Sequence, residues 1–349
     1  MAKLIIRADV GPSTDPSTLD SIKSCLHTTD RLGEITISAF SESLLEKLFQ
    51  GLVPKSAPQL HTFRIVLCSN YPKPNTFTIH ENILSDMERL RCVHLVECKI
   101  SWDSRLLTVL THLTLHRSLK DNASSSIIQF MHALQRMPAL INLDIQQSIP
   151  HDAGGLSTYL TVDLPCLREL RILSDVDALT IALSHISFPH SAVLDLTCEA
   201  TQHTQIDFSN FLSVLARKFL SFLVIRSLSL EVANLASQNS LRFELTANAQ
   251  NHFFYHRSVP VELKLILTWP YLQDSLHKHM EIMNTALGAL SLPDVAQLAL
   301  STPDMNSKMW LDTFGKFPLL KWVPWMISLQ RNHFFLHWLI KRRPRQTTN

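Results

Sequence analysis

A short apolar motif, Leu-x-x-Leu-x-Leu with conservative replacements, recurs along most of this 349-residue chain. The starts of successive copies are separated by about 29 residues on average, at the upper edge of the range for repeats of this kind. The last two apolar positions are two residues apart, so they share one face of a β-strand. Six clear copies and four looser ones begin at Leu32, Leu60, Leu90, Leu110, Leu140, Leu167, Leu194, Ile225, Leu263 and Val295.

Each copy is too small to bury its own apolar face, whereas stacking the copies in parallel buries a continuous core. Several intervals between the copies have the apolar spacing of helices, notably residues 41–49, 126–136 and 208–219. The expected unit is therefore strand, turn, helix and next strand. The pattern predicts an α/β leucine-rich-repeat solenoid, a curved parallel sheet with helices on the convex side and irregular repeats of about 20–35 residues. The alternative is a compact α/β fold whose strands happen to contain leucines.

Two finer expectations follow from the repeat. The central leucines, among them Leu113, Leu143 and Leu170, should be fully buried. The ninth position of the full leucine-rich-repeat consensus, three residues after the last leucine of the motif, should hold a residue that bonds the local backbone. We call it the ninth motif position. That position is Cys68, Cys98, Ser118, Ser148, Asp175 or Thr268.

Composition excludes several function classes. The chain has only 7 glycines, and none has the spacing of a phosphate-binding loop, so a standard Walker or Rossmann nucleotide site is excluded. A formal charge of +2 provides no strong field for nucleic acid or an anionic membrane. The six cysteines form no Cys-x-x-Cys pair and the first residues do not make a signal peptide. We therefore expect a reducing compartment, the cytoplasm or the nucleus.

The carboxyl end departs from the repeat. Residues 1–317 are expected to form the solenoid, and residues 318–349 an atypical aromatic and basic segment. That segment either caps the last repeat or is poorly ordered. Lys321, Arg331 and His333 interrupt its apolar stretch, so we expect no membrane span there.

Three features resemble fungal F-box proteins: repeats of variable length, the phrases Ser56-Ala57-Pro58-Gln59-Leu60 and Leu164-Pro165-Cys166-Leu167-Arg168-Glu169-Leu170, and the opening Leu4-Ile5-Ile6-Arg7-Ala8-Asp9. The resemblance covers about residues 1–315. It implies the substrate-receptor part of a ubiquitin-ligase-type protein. The Leu-Pro-acidic helical start of an F-box is absent near the amino terminus, and Leu292-Pro293-Asp294 lies at the other end. We therefore expect the substrate-binding half without the F-box.

The residues between the leucines should point out of the sheet on the side opposite the core. Their charges are mixed in sign, which suits a protein or peptide partner better than nucleic acid, since nucleic acid favours a stripe of Arg and Lys. The outward positions are Glu34, Thr36, Arg64, His94, His112, Thr114, His116, Asn142, Asp144, Glu169, Arg171, Asp195, Thr197, Ser227, Ser229, Glu262 and Lys264. The partner-binding residues proposed from this set are Arg64, His94, His112, His116, Asp144, Arg171 and Asp195.

Two groups of residues admit a chemical interpretation as well as a structural one. The imidazoles of His94, His112 and His116 could bind zinc or sense pH, but solvated histidines are the simpler interpretation. Asp175 and Asp177 have a spacing used for divalent metals, but they precede an apolar helix and suit a helix cap. There is no Gly-x-Ser-x-Gly or His-Glu-x-x-His motif. We therefore expect a binding protein with no catalytic residues, cofactor or metal. An enzyme on a compact α/β fold, without a recognisable catalytic motif, remains the alternative.

Overall fold

The computed structural model describes residues 3–50, 56–68, 77–80, 83, 87–117, 126–150, 160–200, 207–220, 224–235, 240–249, 262–270, 275–289, 294–301, 323–329 and 332–338. The chain divides into two compact units, unit 1 (Met1–Ala192) and unit 2 (Val193–Asn349). Both are α/β; the main sheet of unit 1 is parallel, whereas the sheet of unit 2 mixes parallel and antiparallel pairs. The boundary expected between residues 317 and 318 lies outside the described residues.

Unit 1 contains one main sheet and two small two-stranded sheets. Its strands are β1 (Leu4–Val10), β2 (Leu32–Ala39), β3 (Thr62–Leu67), β4 (Phe77–Ile79), β5 (Cys92–Val96), β6 (Cys98–Ile100), β7 (His112–His116), β8 (Asn142–Gln146), β9 (Val162–Asp163), β10 (Glu169–Asp175) and β11 (Ile186–Ser187). Its helices are α1 (Pro16–Leu26), α2 (Glu42–Phe49), α3 (Ile127–Gln135) and α4 (Val176–His185). The small sheets pair β4 with β6 and β9 with β11.

The main sheet has the order β1-β2-β3-β5-β7-β8-β10, and each neighbouring pair is parallel. The six clear copies of the motif therefore form neighbouring parallel strands, which confirms that part of the prediction. Leu113, Leu143 and Leu170 stand side by side in register with 1%, 1% and 0% of their surface exposed. Their predicted burial is confirmed.

Four strands of unit 1, β5, β7, β8 and β10, begin with the same backbone arrangement. The carbonyl oxygen of His61 accepts the N–H groups of both Arg91 and Cys92, each at 3.0 Å. The carbonyl of the second motif residue makes the same double contact with the next strand at three further steps: Arg91 with Thr111 and His112, Thr111 with Ile141 and Asn142, and Ile141 with Arg168 and Glu169. The strands thus repeat in backbone hydrogen bonding as well as in side-chain pattern.

The strands also end alike where the ninth motif position is buried. Glu97 and Gln147 have φ angles of 56° and 49°, in the left-handed region. The next residue in each case, Cys98 or Ser148, turns inward and is buried. Ser148 Oγ donates to the carbonyls of Gln146 (3.0 Å) and Leu115 (3.4 Å). The predicted backbone bonding is therefore confirmed at Ser148, whereas Ser118 lies outside the described residues.

Three of the helices coincide with predicted helical segments. Ser126 caps α3, accepting the N–H of Ile128 while the side chain of Gln129 returns to the backbone of Ser126. α2 lies on the leucine side of the sheet, because its Phe49 ring meets the inward ring of Phe63 edge-on, with centroids 6.5 Å apart.

The expectation of a helix in every interval is wrong between β6 and β7. Residues 101–111 form turns instead. Trp102, Leu106 and Leu107 are buried within these turns. The short interval of about 20 residues leaves no room for a helix of usual length in addition to the strand and its turns.

Unit 2 is less regular. Its strands are β12 (Val193–Glu199), β13 (Ser227–Leu235), β14 (Ser240–Asn248), β15 (Leu263–Pro270), β16 (Gln297–Ser301), β17 (Val323–Leu329) and β18 (Asn332–Trp338), and its helices are α5 (Ser209–Leu215) and α6 (Ser275–Ala289). The strand order is β12-β15-β14-β13-β16-β17-β18. β14 is antiparallel to both β13 and β15.

The expectation of an entirely parallel sheet stacked in chain order is therefore wrong in unit 2. The cause is β14, which alternates apolar and polar residues and follows β13 after only residues 236–239. So short a connection joins antiparallel strands, because a parallel return needs a dozen or more residues. β12 consequently pairs with β15 rather than with β13.

Two further findings concern the carboxyl segment and membranes. β17 and β18 form an antiparallel pair, and β17 lies parallel to β16 with Leu300 opposite Trp325. Among the residues described, no helix has the length and apolar character needed to cross a bilayer.

Candidate functional site

Three rows of side chains cross unit 1 on the side of the sheet opposite the leucines, with one residue from each strand. We call this surface the polar face. The first row is Ile5, Glu34, Thr62, Cys92, His112, Asn142 and Glu169; the second is Arg7, Thr36, Arg64, His94, Thr114, Asp144 and Arg171; the third is Asp9, Ser38, Val66, Val96, His116, Gln146 and Leu173. The rows alternate with buried positions, because successive side chains of a strand point to opposite faces.

Six of the seven proposed binding residues lie on the polar face. The second row holds four of them, Arg64, His94, Asp144 and Arg171, and His112 and His116 lie in the rows on either side.

The seventh proposed residue, Asp195, belongs to unit 2, where it lies on β12 opposite Lys264. Ser227, another residue of the outward set, is buried, and its Oγ donates to Oε1 of Gln297, its partner in register on β16, at 3.3 Å.

Opposite charges are paired at the β7–β10 end of the polar face. His116 Nε2 lies 2.9 Å from Asp144 Oδ1, close but poorly aligned for a hydrogen bond. Arg171 places Nη1 3.3 Å from Asp144 Oδ2 and Nη2 3.2 Å from Glu169 Oε1. Asn142 Nδ2 donates to Glu169 Oε2 at 2.7 Å. We call these five residues the ionic network.

The ionic network keeps Asp144 charged. Burial raises the pKa of this carboxyl, but the His116 side chain and the Arg171 guanidinium outweigh burial and hold the pKa below its usual value. A second pair lies at the opposite end of the face, where Arg7 Nε donates to Glu34 Oε1 at 2.9 Å. This bond, together with the positive charge of Arg7, lowers the pKa of Glu34.

Between the two ends lie Arg64 and His94, which are laterally paired on β3 and β5. Burial lowers the pKa of His94 to about 4, and the nearby Arg64 and His116 add to this effect while Asp144 opposes it. The His94 imidazole is therefore neutral at pH 7. Arg64 is exposed and makes no hydrogen bond or ion pair with any residue that the structure describes.

The low pKa of His94 predicts acid sensitivity. An unfolded histidine titrates near pH 6.5, so between pH 6.5 and 4 the unfolded chain binds more protons than the folded one. The contribution of the neutral His94 to the free energy of unfolding is complete above pH 6.5, and it is lost as the pH falls towards 4. After allowance for solvent screening, wild type should lose about 1 kcal/mol more than His94→Gln between pH 7 and pH 5. Urea unfolding of both proteins at the two pH values measures this, and equal losses would contradict it.

The polar face carries side chains that form directional hydrogen bonds. Within the described ranges, no three His, Cys, Asp or Glu side chains come together as a metal site. Asp175 is a helix cap: its Oδ1 accepts the N–H groups of Asp177 and Ala178 at the start of α4. The structural interpretation of that carboxylate pair is thus confirmed.

The set of binding residues proposed from sequence omitted Arg7, because β1 precedes the first recognised copy of the motif. The signal was present as the alternation of Leu4, Ile6 and Ala8. Comparison with known proteins adds no assignment: no protein-family model and no curated protein matches this chain.

Proposed function

We propose that this chain is a leucine-rich-repeat protein that binds a segment of another protein on its polar face. The observation that carries the proposal is the set of three in-register rows of outward side chains. The leucines and isoleucines on the other side of the same strands are buried. The repeated backbone contacts at the strand starts and the inward Cys98 and Ser148 support the repeat assignment, since stacked repeats are recognised by such recurring units.

The charges of the polar face support a protein partner. Cations and carboxylates are mixed across it, and most of them are already paired in the ionic network or in the Arg7–Glu34 pair. A surface of this kind orients a partner through complementary pairs, and binding should show moderate salt dependence. A nucleic acid would instead need several phosphate-binding cations in line.

The resemblance to fungal F-box proteins extends the proposal. In that case the bound protein is the substrate of a ubiquitin-ligase-type complex in the cytoplasm or nucleus, and this chain is the substrate receptor. The composition and the pattern of outward residues are compatible with that role, which the partner's identity would test directly.

Charge reversal on the two sides of the sheet tests the binding face. Asp144→Lys combined with Arg171→Glu should reduce capture of the partner at least tenfold. Both side chains would then repel the charged groups of the partner that the wild-type side chains attract. The matched control is Glu46→Lys with Lys47→Glu, which reverses two exposed residues of α2. Proximity labelling in cells followed by binding measurements with each purified partner provides the readout.

Thermal melting of each variant should show that the fold is retained. Loss of binding in the α2 variant, together with unchanged binding in the strand variant, would overturn the proposal.

A further inference from the structure

We infer that Arg64 is the anchor of the polar face and takes an acidic side chain of the partner, with an aliphatic residue of the same segment resting on Val66 and Val96. This inference rests on the proposed function and specifies the chemistry of the bound segment. It follows from the charge pairing of the face, from the surroundings of Arg64 and from the geometry of the guanidinium group.

Arg64 is the exception among the arginines of the three rows. Arg7 is bonded to Glu34, and Arg171 is bonded to both Asp144 and Glu169. Arg64 has no such partner among the described residues, although it stands in the same row. A cation without a counter-ion among the described residues, in a row whose other arginines are matched, favours an incoming anion.

The neighbours of Arg64 leave this position open to a carboxylate. In its own row it lies between Thr36 and His94, a hydroxyl and a neutral imidazole, neither of which competes for the charge. In the next row Val66 and Val96 stand side by side and are half-buried. Arg64 is therefore a single cation beside a small apolar surface formed by Val66 and Val96.

The chemistry favours a single carboxylate over a phosphate chain. The planar guanidinium binds a carboxylate through two parallel N–H···O bonds. Glu34 lies in the first row on the neighbouring strand β2, and the ionised Asp144 lies farther along the second row. These carboxylates disfavour a run of phosphates but leave room for one Asp or Glu. The occupant is thus an acidic residue next to an aliphatic one.

Binding of this kind changes the titration of His94. The charged and titratable side chains around its ring are Arg64 from β3, His116 from β7 and Asp144 from β8. A carboxylate on Arg64 offsets the positive field that disfavours the imidazolium, so the pKa of His94 should rise in the complex. Affinity should then increase as the pH falls from 7 to 5, with proton uptake on binding.

A displayed library of random dodecapeptides, selected on the full chain, tests the inference. Selected peptides should share an Asp or Glu next to an aliphatic residue. Against synthetic copies, Arg64→Glu should weaken binding by about 10- to 100-fold, the usual cost of losing a charge-assisted hydrogen bond. Lys47→Glu on α2 is the control with the same change of charge and should bind as wild type does. Arg64→Glu should itself select peptides with Lys or Arg in place of the acidic residue.

The outcomes separate this inference from the proposed function. Peptides that lose affinity with the Asp144 and Arg171 reversal but not with Arg64→Glu would overturn the anchor and keep the binding face. Peptides indifferent to all strand variants would overturn both, as would a failure of the wild type to select any. Calorimetry at pH 5.5 in two buffers of different ionisation enthalpy should show proton uptake with wild type and none with His94→Gln.

Discussion

Replacing Leu143 by Ala is expected to lower the free energy of unfolding by about 2–5 kcal/mol, the range for buried leucines truncated in well-packed cores. The side chain has 1% of its surface exposed and lies in register between Leu113 and Leu170. Neither neighbouring strand can fill the space without leaving its own hydrogen-bonding register. Urea unfolding followed by circular dichroism measures the loss.

The matched control for this substitution is Ile5→Ala on β1, where 53% of the residue surface is exposed. It should change stability by less than about 0.5 kcal/mol. Double mutants test how far the destabilisation extends from β8. Leu143→Ala and Leu113→Ala lie on adjacent strands and should be non-additive, whereas Leu143→Ala and Ile35→Ala lie several strands apart and should add. Near-wild-type unfolding of Leu143→Ala would contradict the assignment of the core.

Replacing Phe130 by Ala is expected to cost about 3–5 kcal/mol, as for other buried aromatic residues. Phe130 belongs to α3, is fully buried, and meets Trp102 edge-on with ring centroids 4.9 Å apart. Trp102 comes from the turns that precede β7, whereas α3 precedes β8. The ring pair therefore packs the connecting segment of one repeat against that of the next. The loss of this pair adds to the loss of buried area.

The contribution of the ring pair can be separated by a double-mutant cycle with Trp102→Leu. A coupling energy of about 0.5–1.5 kcal/mol is expected for an edge-on pair. The exposed Phe40 supplies the control, since Phe40→Ala removes the same side chain from a surface position. Equal destabilisation by Phe40→Ala and Phe130→Ala would show that the α3 layer is not part of the core.

The motif alone predicted the regular part of the fold. The spacing Leu140, Leu143, Ile145 contains both the strand and its buried face, because the period of two is local to each strand. The outward positions followed from the same alternation, so Arg64, His94, Asp144 and Arg171 could be assigned to the side of the sheet opposite the leucines from sequence alone. The helix cap at Ser126 was also recognisable, since capping depends on residues within one turn.

The parts that sequence did not predict depend on contacts beyond a single repeat. β14 alternates clearly at Leu241, Phe243 and Leu245, yet its antiparallel position between β13 and β15 depends on a short connection and on which edge is free. The absence of a helix between β6 and β7 likewise depends on the length of one interval. Charge pairing was also beyond prediction, because whether Arg64 or Arg171 finds a carboxylate depends on side-chain rotamers of adjacent strands.

The strand order of the two units has a consequence for the time course of folding. In unit 1 each motif strand pairs with the strand of the main sheet that precedes it in the chain; β7 and β8, for example, join residues about 30 positions apart. Such local pairing lets folding proceed strand by strand as the chain is synthesised. β12 differs, since Leu194 pairs with Leu263, about 70 residues later. Until β15 has been made, β12 has no partner within its own unit, and an unpaired apolar strand edge invites aggregation. During synthesis of residues 200–262 this edge of β12 therefore stays unpaired for longer than the edge of any motif strand of unit 1.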